Sequence, residues 1–401
     1  MRNVFLFSFF FILSATLSAQ RPAANGARWY DTDGKQINAH GGGILQWKGR
    51  YYWFGEDKDT VTNAALVGVS CYVSRDLRRW KKMPTALSVD TANAASPIAR
   101  GCTLERPKVI YCPLTKQFVM WFHLELKGRG YSAALAGVAT ARRPEGPYTF
   151  LRADRVNAGC YPVGMSQSER QTMDTLRAEN YAEWWTPQWR QAISDGLFLR
   201  RDLRGGQMAR DMQLYVDADG TAYHIYSSED NLTLHIAELT PDFTRHTGRY
   251  IRVAPGQQNE APCLWRHGGW YWLLCSGCTG WAPNAARLYR APSIWGPWEG
   301  DLGNPCRSDA PLRPASKTFL GQGTYVLTLP DGHEIFMADE WHPQRPADGR
   351  YLWLPISYTA DGLPRIVWER IKVPQKTISG KSCRSWHTML NPRRMKCVVG
   401  Y

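Results

Sequence analysis

One pattern recurs along this chain and limits what it can fold into: an apolar strand, a short polar turn carrying Gly or Asp, then an aromatic strand. It appears at residues 44–54. It returns at 109–122 around Leu114-Thr115-Lys116, and at 214–226 around Asp217-Ala218-Asp219-Gly220. Two more copies follow, at 263–274 around His267-Gly268-Gly269 and at 325–337 around Asp331-Gly332. Each copy reads as a β-hairpin, because Asp-Gly and Gly-rich pairs supply the positive φ that tight hairpin turns need. With 18 Trp, 19 Tyr and 35 Gly, the composition suits many short aromatic strands and not a helical bundle.

A second signal follows several hairpins. Arg143-Pro144-Glu145-Gly146-Pro147-Tyr148 and Ser293-Ile294-Trp295-Gly296-Pro297-Trp298 are near copies. The unit is therefore about four strands, repeated five times, which is the signature of a β-propeller. The expected fold is all-β: a five-bladed propeller over residues 28–370. Two stretches break the pattern. Residues 160–207 separate the second and third copies and contain polar residues at helical spacing, then Trp184-Trp185-Thr186-Pro187-Gln188-Trp189. They are expected to form a helical insertion on one face of the ring. Residues 376–401 carry no strand pattern and read as a basic tail outside the fold.

The first 19 residues read as a secretory signal peptide: Arg2, an apolar run from Val4 to Leu17, then small residues up to Ala19. At about 14 residues the run is short for a spanning helix, which needs roughly 20. A secreted or periplasmic monomer, cut near Ala19 and without a membrane span, is the expectation. Export permits disulfides among the ten cysteines. Only Cys275-Ser-Gly-Cys278 has motif spacing, and it follows Trp270-Tyr271-Trp272-Leu273-Leu274, so it marks a strand end and not a redox helix. No second pair stands at zinc-finger spacing, and no metal is expected. The tail's six basic side chains and Arg2 carry half of the formal net charge of +14. The body is only mildly basic, which does not point to a nucleic-acid partner.

Several polar groups sit where strands do not need them. Glu105 lies at the mouth of the second hairpin, Asp211 at the third and Glu260 at the fourth, all at a similar offset before the first strand. In a propeller that strand is innermost, so equal offsets aim all three side chains at one end of the central channel. Burying an unpaired carboxylate costs several kcal/mol, so such groups have partners or a task. Carboxylates around one funnel suit glycoside hydrolysis, which needs a proton donor for the leaving oxygen and a second group for water or the anomeric carbon. Crowding raises their pKa values and keeps the acid protonated near neutral pH. Trp281, Asp230, Asn231, Tyr131 and His123 cluster nearby in the pattern. Aromatic faces stack on sugar C–H surfaces, while Asp and Asn bond hydroxyls.

These segments resemble glycoside hydrolase family 43. The matching stretches are Asn38-Ala39-His40-Gly41-Gly42-Gly43-Ile44, Tyr51-Tyr52-Trp53-Phe54-Gly55-Glu56, Glu105-Arg106-Pro107-Lys108-Val109, Arg210-Asp211-Met212, Asp217-Ala218-Asp219-Gly220, Glu260-Ala261-Pro262 and Thr279-Gly280-Trp281-Ala282-Pro283-Asn284. The resemblance implies a five-bladed propeller and inverting, usually exo-acting, hydrolysis of plant-type glycans. It makes Glu260 the general acid, with Asp211 tuning its pKa and orientation. The family's usual base, an Asp before the first innermost strand, has no counterpart in Ala39-His40-Gly41. The exo-β-1,3-galactanase branch also lacks it. That branch implies Gln322 as the group holding the water, helped by Glu105, with Asp230, Asn231 and Tyr131 as sugar contacts. Trp281 and His40 complete the expected substrate-binding set. Gly41-Gly42-Gly43 is expected to leave room for substrate or for a close backbone approach.

The reading is a secreted, inverting exo-glycosidase that releases terminal β-galactose, from the β-1,3-galactan of arabinogalactan. Gln322 and Glu260 are expected on opposite sides of the sugar, roughly 6.5–9.5 Å apart. Within the family, α-L-arabinofuranosidase or β-xylosidase is the alternative. From another class comes a propeller that has lost its base and only binds glycan. No cofactor is expected. Some family members hold a channel calcium ion, but nothing in the sequence fixes one here, although His342 is near the right blade.

Overall fold

Each hairpin signal turns the chain where it stands. His267 pairs with Trp270, and Gly268 (φ 59°) and Gly269 (φ 82°) close the two-residue loop between them in the left-handed conformation such a turn requires. In the computed structural model of the chain, residues 24–368 are described. The expected leader, the tail at 376–401, Cys383 and Cys397 lie outside the described residues.

The strands form five sheets arranged as blades, each beginning with its innermost strand. Those innermost strands are His40–Trp47, Thr103–Cys112, Met212–Val216, Glu260–His267 and Gln322–Thr328. The first three strands of every blade pair antiparallel in chain order. The outer edge varies. Blade four has three strands, with only the Arg290–Glu299 bridge beyond them, whereas blade five adds Cys306–Arg307 in parallel to its outermost strand. The two Gly-Pro copies both adopt cis peptide bonds.

The ring closes between blades five and one. Asn25 exchanges two hydrogen bonds with the Trp353 backbone, and the Gly26 N–H donates to Tyr351 O. Behind this seam Trp53 packs edge-on against Tyr351 (centroids 4.6 Å apart), Trp353 (5.0 Å) and Trp80 (5.4 Å). Edge-to-face pairs of this kind add about 0.5–1.5 kcal/mol each beyond the area they bury.

Residues 160–207 form the helical insertion. Ser166 caps α1 (Gln167–Thr175) in a reciprocal box with Glu169, and Thr186 caps α2 (Pro187–Ser194). α3 (Leu197–Asp202) follows. Trp189, Ile193, Leu197 and Phe198 bury themselves with Leu232 from a loop of blade three. A buried Arg252–Glu229 ion pair anchors the same join, because Arg252 also donates to the Ile193 and Ser194 carbonyls at the end of α2. No helix of the described residues is long and apolar enough to cross a membrane. The eight cysteines among them, Cys278 included, are free thiols.

Candidate active site

The innermost strands do not run straight at the end that carries the polar groups. Register against the neighbouring strand slips between His40 and Gly43, between Glu105 and Lys108, and between Glu260 and Cys263. Each slip holds one left-handed residue: Gly41 (φ 59°), Arg106 (φ 55°) and Ala261 (φ 52°). Such bulges re-aim side chains, and a non-glycine residue there costs about 1–3 kcal/mol that the surrounding structure must support. The result is one cavity of roughly 260 Å³ lined by Glu105, Asp211, Glu260 and Gln322 from four blades, with Glu56 from the second strand of blade one.

The carboxylates differ sharply in environment. Burial and the neighbouring Asp211 charge raise Glu260 to about 7. Burial also pushes Glu105 upward, but the hydrogen bond from His123, the Lys58 charge and the Tyr131 hydroxyl outweigh it and hold Glu105 at about 2. Tyr131 donates to Glu105 Oε1 at 2.8 Å, and His123 Nδ1 lies 3.2 Å from Glu105 Oε2. His123 is fixed in turn by Glu125, 3.0 Å from its other nitrogen. The two environments thus push the glutamates apart, Glu260 keeping a proton far above the pH at which Glu105 has lost its own, the pattern that separates an acid from an ionised partner.

Arg106 ties the remaining groups together. Its guanidinium lies 2.9 Å from Asp211 Oδ2 and donates to the Gln322 side-chain oxygen. Asp211 also accepts from the Ala261 N–H at 3.1 Å, so it braces the bulge that carries Glu260. The separation expected between Gln322 and Glu260 is not found: the Gln322 amide donates to Glu260 Oε2 at 3.4 Å and to Ser276 at 2.9 Å. Blades four and five are neighbours in the ring, so equivalent ends of their innermost strands meet instead of facing each other across it.

Asn231 donates to Glu260 Oε1 at 2.7 Å, and Trp281 lines the cavity beside Trp341, their rings packed edge-on with centroids 5.7 Å apart. Asp230 faces Arg201 (2.6 Å) and Arg210 (3.5 Å) beside the cavity and does not line it. His40 requires a correction. Its ring is wholly buried, stacked on Trp341, and fits only because Gly349 has no side chain: a Cβ there would lie 1.4 Å from the ring. It supports the wall from behind and is closed off from a sugar. The glycines after it make room for protein. A Cβ on Gly41 would meet Glu56, and one on Gly43 would meet Lys108.

Calcium, a hard ion, takes six to eight oxygen ligands. Lys108 Nζ donates to the Gly41 and Arg106 carbonyls, and His342 sits with Glu340 and Asp348. Among the described residues, the grouping of possible metal ligands is Glu105, His123 and Asp211, already engaged with Tyr131, Glu125 and Arg106. Four lining residues escaped the sequence reading: Glu56, Arg106, Arg210 and Trp341. Glu56 and Arg106 carried a usable signal, a charge placed beside a run of apolar strand residues.

Comparison with known proteins identifies the family. The description "Glycosyl hydrolases family 43" matches residues 160–364. A β-1,3-galactosidase of that family, solved with galactodeoxynojirimycin, is 53% identical with a TM-score of 0.83, over 86% of this chain and 98% of that one. An exo-β-1,3-galactanase from Phanerochaete chrysosporium, solved as a variant with β-1,3-galactotriose, is 31% identical with a TM-score of 0.66, over 87% of this chain and 67% of that one. One from Clostridium thermocellum is 32% identical with a TM-score of 0.67, over 86% and 64%. No curated protein matches the chain. The chain belongs to glycoside hydrolase family 43. It is a five-bladed propeller glycosidase that hydrolyses O-glycosyl bonds.

Proposed function

We propose that the protein is an exo-acting β-galactosidase that removes terminal galactose from β-1,3-galactan with inversion at the anomeric carbon. The observation that carries this is the pairing, in one small cavity, of Glu260, raised by burial and the Asp211 charge, with Glu105, held low by His123, Lys58 and Tyr131. At roughly 260 Å³ the cavity is below the usual range of about 300–1,000 Å³ for ligand pockets, which suits one sugar ring at a chain end and not an interior segment. The galactosidase and galactanase activities of the similar proteins supply the sugar and the linkage.

In the proposed reaction Glu260 gives its proton to the leaving oxygen as the bond to the anomeric carbon breaks. A water bonds to that carbon from the opposite face. Gln322 orients this water once a sugar has displaced its contact with Glu260, and ionised Glu105 accepts the proton. Asp211 keeps Glu260 protonated, while Asn231, Tyr131 and Trp281 contact the ring. The leader reading makes this an exported enzyme cut near Ala19, which an intact-mass measurement of exported protein tests.

The deciding experiment sets nitrophenyl β-galactoside, arabinofuranoside and xyloside beside β-1,3-galactan and follows the first product by NMR. Galactose appearing first as the α-anomer supports the proposal. Release of arabinose or xylose alone removes the galactosidase, and β-galactose appearing first removes inversion.

A further inference from the structure

The insertion presents two large aromatic faces that its own core does not use. Trp184 is 49% exposed and Trp185 46%, whereas Trp189 beneath them is 1% exposed. Trp184 stacks on Trp189 at 5.2 Å with an interplanar angle of 25°, and Trp185 lies 4.9 Å from the same ring. The two side chains are thereby held in place with their outer surfaces open to water. The Arg190 guanidinium lies over the Trp185 ring, 5.6 Å from its centroid, and adds a polar donor to the patch. Stacking surface with an adjacent hydrogen-bond donor is what a pyranose ring needs.

A continuous path of contacts joins this patch to the acid. Trp184 packs on Phe198 (5.7 Å), and the Arg201 guanidinium covers Phe198 (4.2 Å). Arg201 holds Asp230 at 2.6 Å, and the next residue, Asn231, bonds Glu260. The patch is therefore packed, through Phe198 and Arg201, against the loop that positions Glu260. A cavity sized for one ring leaves the rest of a polymer outside it, on the adjoining surface.

We infer that Trp184 and Trp185 form a platform that binds the part of the β-1,3-linked galactan chain lying beyond the ring being cleaved. This rests on the proposed galactanase reading and adds to it a preference for polymer over small substrates. The platform touches no reacting atom, so its removal acts on polymer alone.

The test compares the full-length protein with Trp184→Ala/Trp185→Ala on β-1,3-galactan and on nitrophenyl β-galactoside, with thermal unfolding and light scattering as controls. The expected result is a fall of roughly three- to tenfold in kcat/KM on galactan, mostly through KM, with the small substrate changed less than about twofold. Trp184→Phe/Trp185→Phe, which keeps aromatic faces, should restore most of the polymer activity. If the unmodified protein hydrolyses galactan and the Ala variant does so equally well, the platform is overturned while the activity stands. Equal losses on both substrates overturn it too, as does a fall in particle mass with unchanged kinetics, which would make the patch a contact between copies. A wild-type protein inactive on galactan overturns both readings.

Discussion

The Asn231 amide donates a 2.7 Å hydrogen bond to Glu260 Oε1 from the neighbouring blade, and it does so from the last of three consecutive left-handed residues. Glu229, Asp230 and Asn231 have φ of 52°, 57° and 64°. Asp and Asn tolerate this region better than most residues, and Glu229 is held in it by Arg252, His235 and Thr233. The orientation of the acid is thus set by a loop whose conformation is enforced from below.

Asn231→Ala should lower kcat on galactan by tenfold or more, since general-acid catalysis contributes about 10²–10⁴ and depends on aim, with only about 1–2 kcal/mol lost in unfolding because Ala tolerates the left-handed conformation less well. The lost bond is one that favours the ionised acid, so the alkaline limb of the pH profile should also move upward. A variant with wild-type kcat would remove Asn231 from the positioning of Glu260.

Activity should decline as pH rises through about 7, because Glu260 works only while protonated. Burial is the main cause of its raised value, and the Asp211 charge is the second. Asp211→Asn removes that charge, so the alkaline limb should shift to lower pH even where the maximal rate also falls. A limb that stays in place would assign the raised value to burial alone. Glu260→Gln should cut turnover of natural galactan by orders of magnitude, and less so for substrates with good leaving groups.

Gln322 and Glu105 separate by paired substitution. Gln322→Ala should nearly abolish hydrolysis, and Glu105→Gln should abolish it or displace the pH optimum. A benign Gln322→Ala beside a dead Glu105→Gln would make the carboxylate the sole activator of water and the amide a wall. The Arg106 contact gives a further reading: it holds the Gln322 oxygen, so Arg106→Met should loosen that amide and cost activity on every substrate.

Glu229 is a stability residue. Breaking a buried ion pair by removing one partner costs about 3–5 kcal/mol, and Glu229→Ala leaves Arg252 uncompensated. Burial raises the Glu229 pKa, but Arg252 and His235 overcome it and hold the group at about 2, against 4.5 unperturbed. Its contribution is therefore present above about pH 4.5 and is lost as pH falls toward 2. Urea unfolding across that range should show a smaller loss in Glu229→Gln than in the wild type, the remainder coming from other carboxylates held low, such as Glu105.

The repeat was legible because hairpin chemistry is local: Gly268-Gly269 and Asp331-Gly332 specify turns whatever surrounds them. The carboxylates were legible for a related reason, since a strand start repeated at one offset puts Glu105, Asp211 and Glu260 at one end of the ring. What escaped depended on contacts between blades. Nothing near His40 in the chain announces that Gly349, 309 positions on, leaves space for its ring. Nor does any local pattern show that Arg106 reaches Gln322, 216 positions away, or that those neighbouring blades bring Gln322 against Glu260.

The pairing of Asn25 with Trp353 spans 328 positions. One side of the clasp is made early in synthesis and the other almost at the end. At roughly 5–20 residues per second, the ribosome keeps the two apart for tens of seconds. Through that interval the aromatic surface of blade one at the seam is uncovered, because Trp53 lacks Tyr351 and Trp353. A closed ring cannot be assembled piece by piece to a finished state; its last contact is also the one that covers this surface. For this chain the vulnerable period of biogenesis is the wait for residue 353, and a helper that shields exposed aromatic surface would be needed most then.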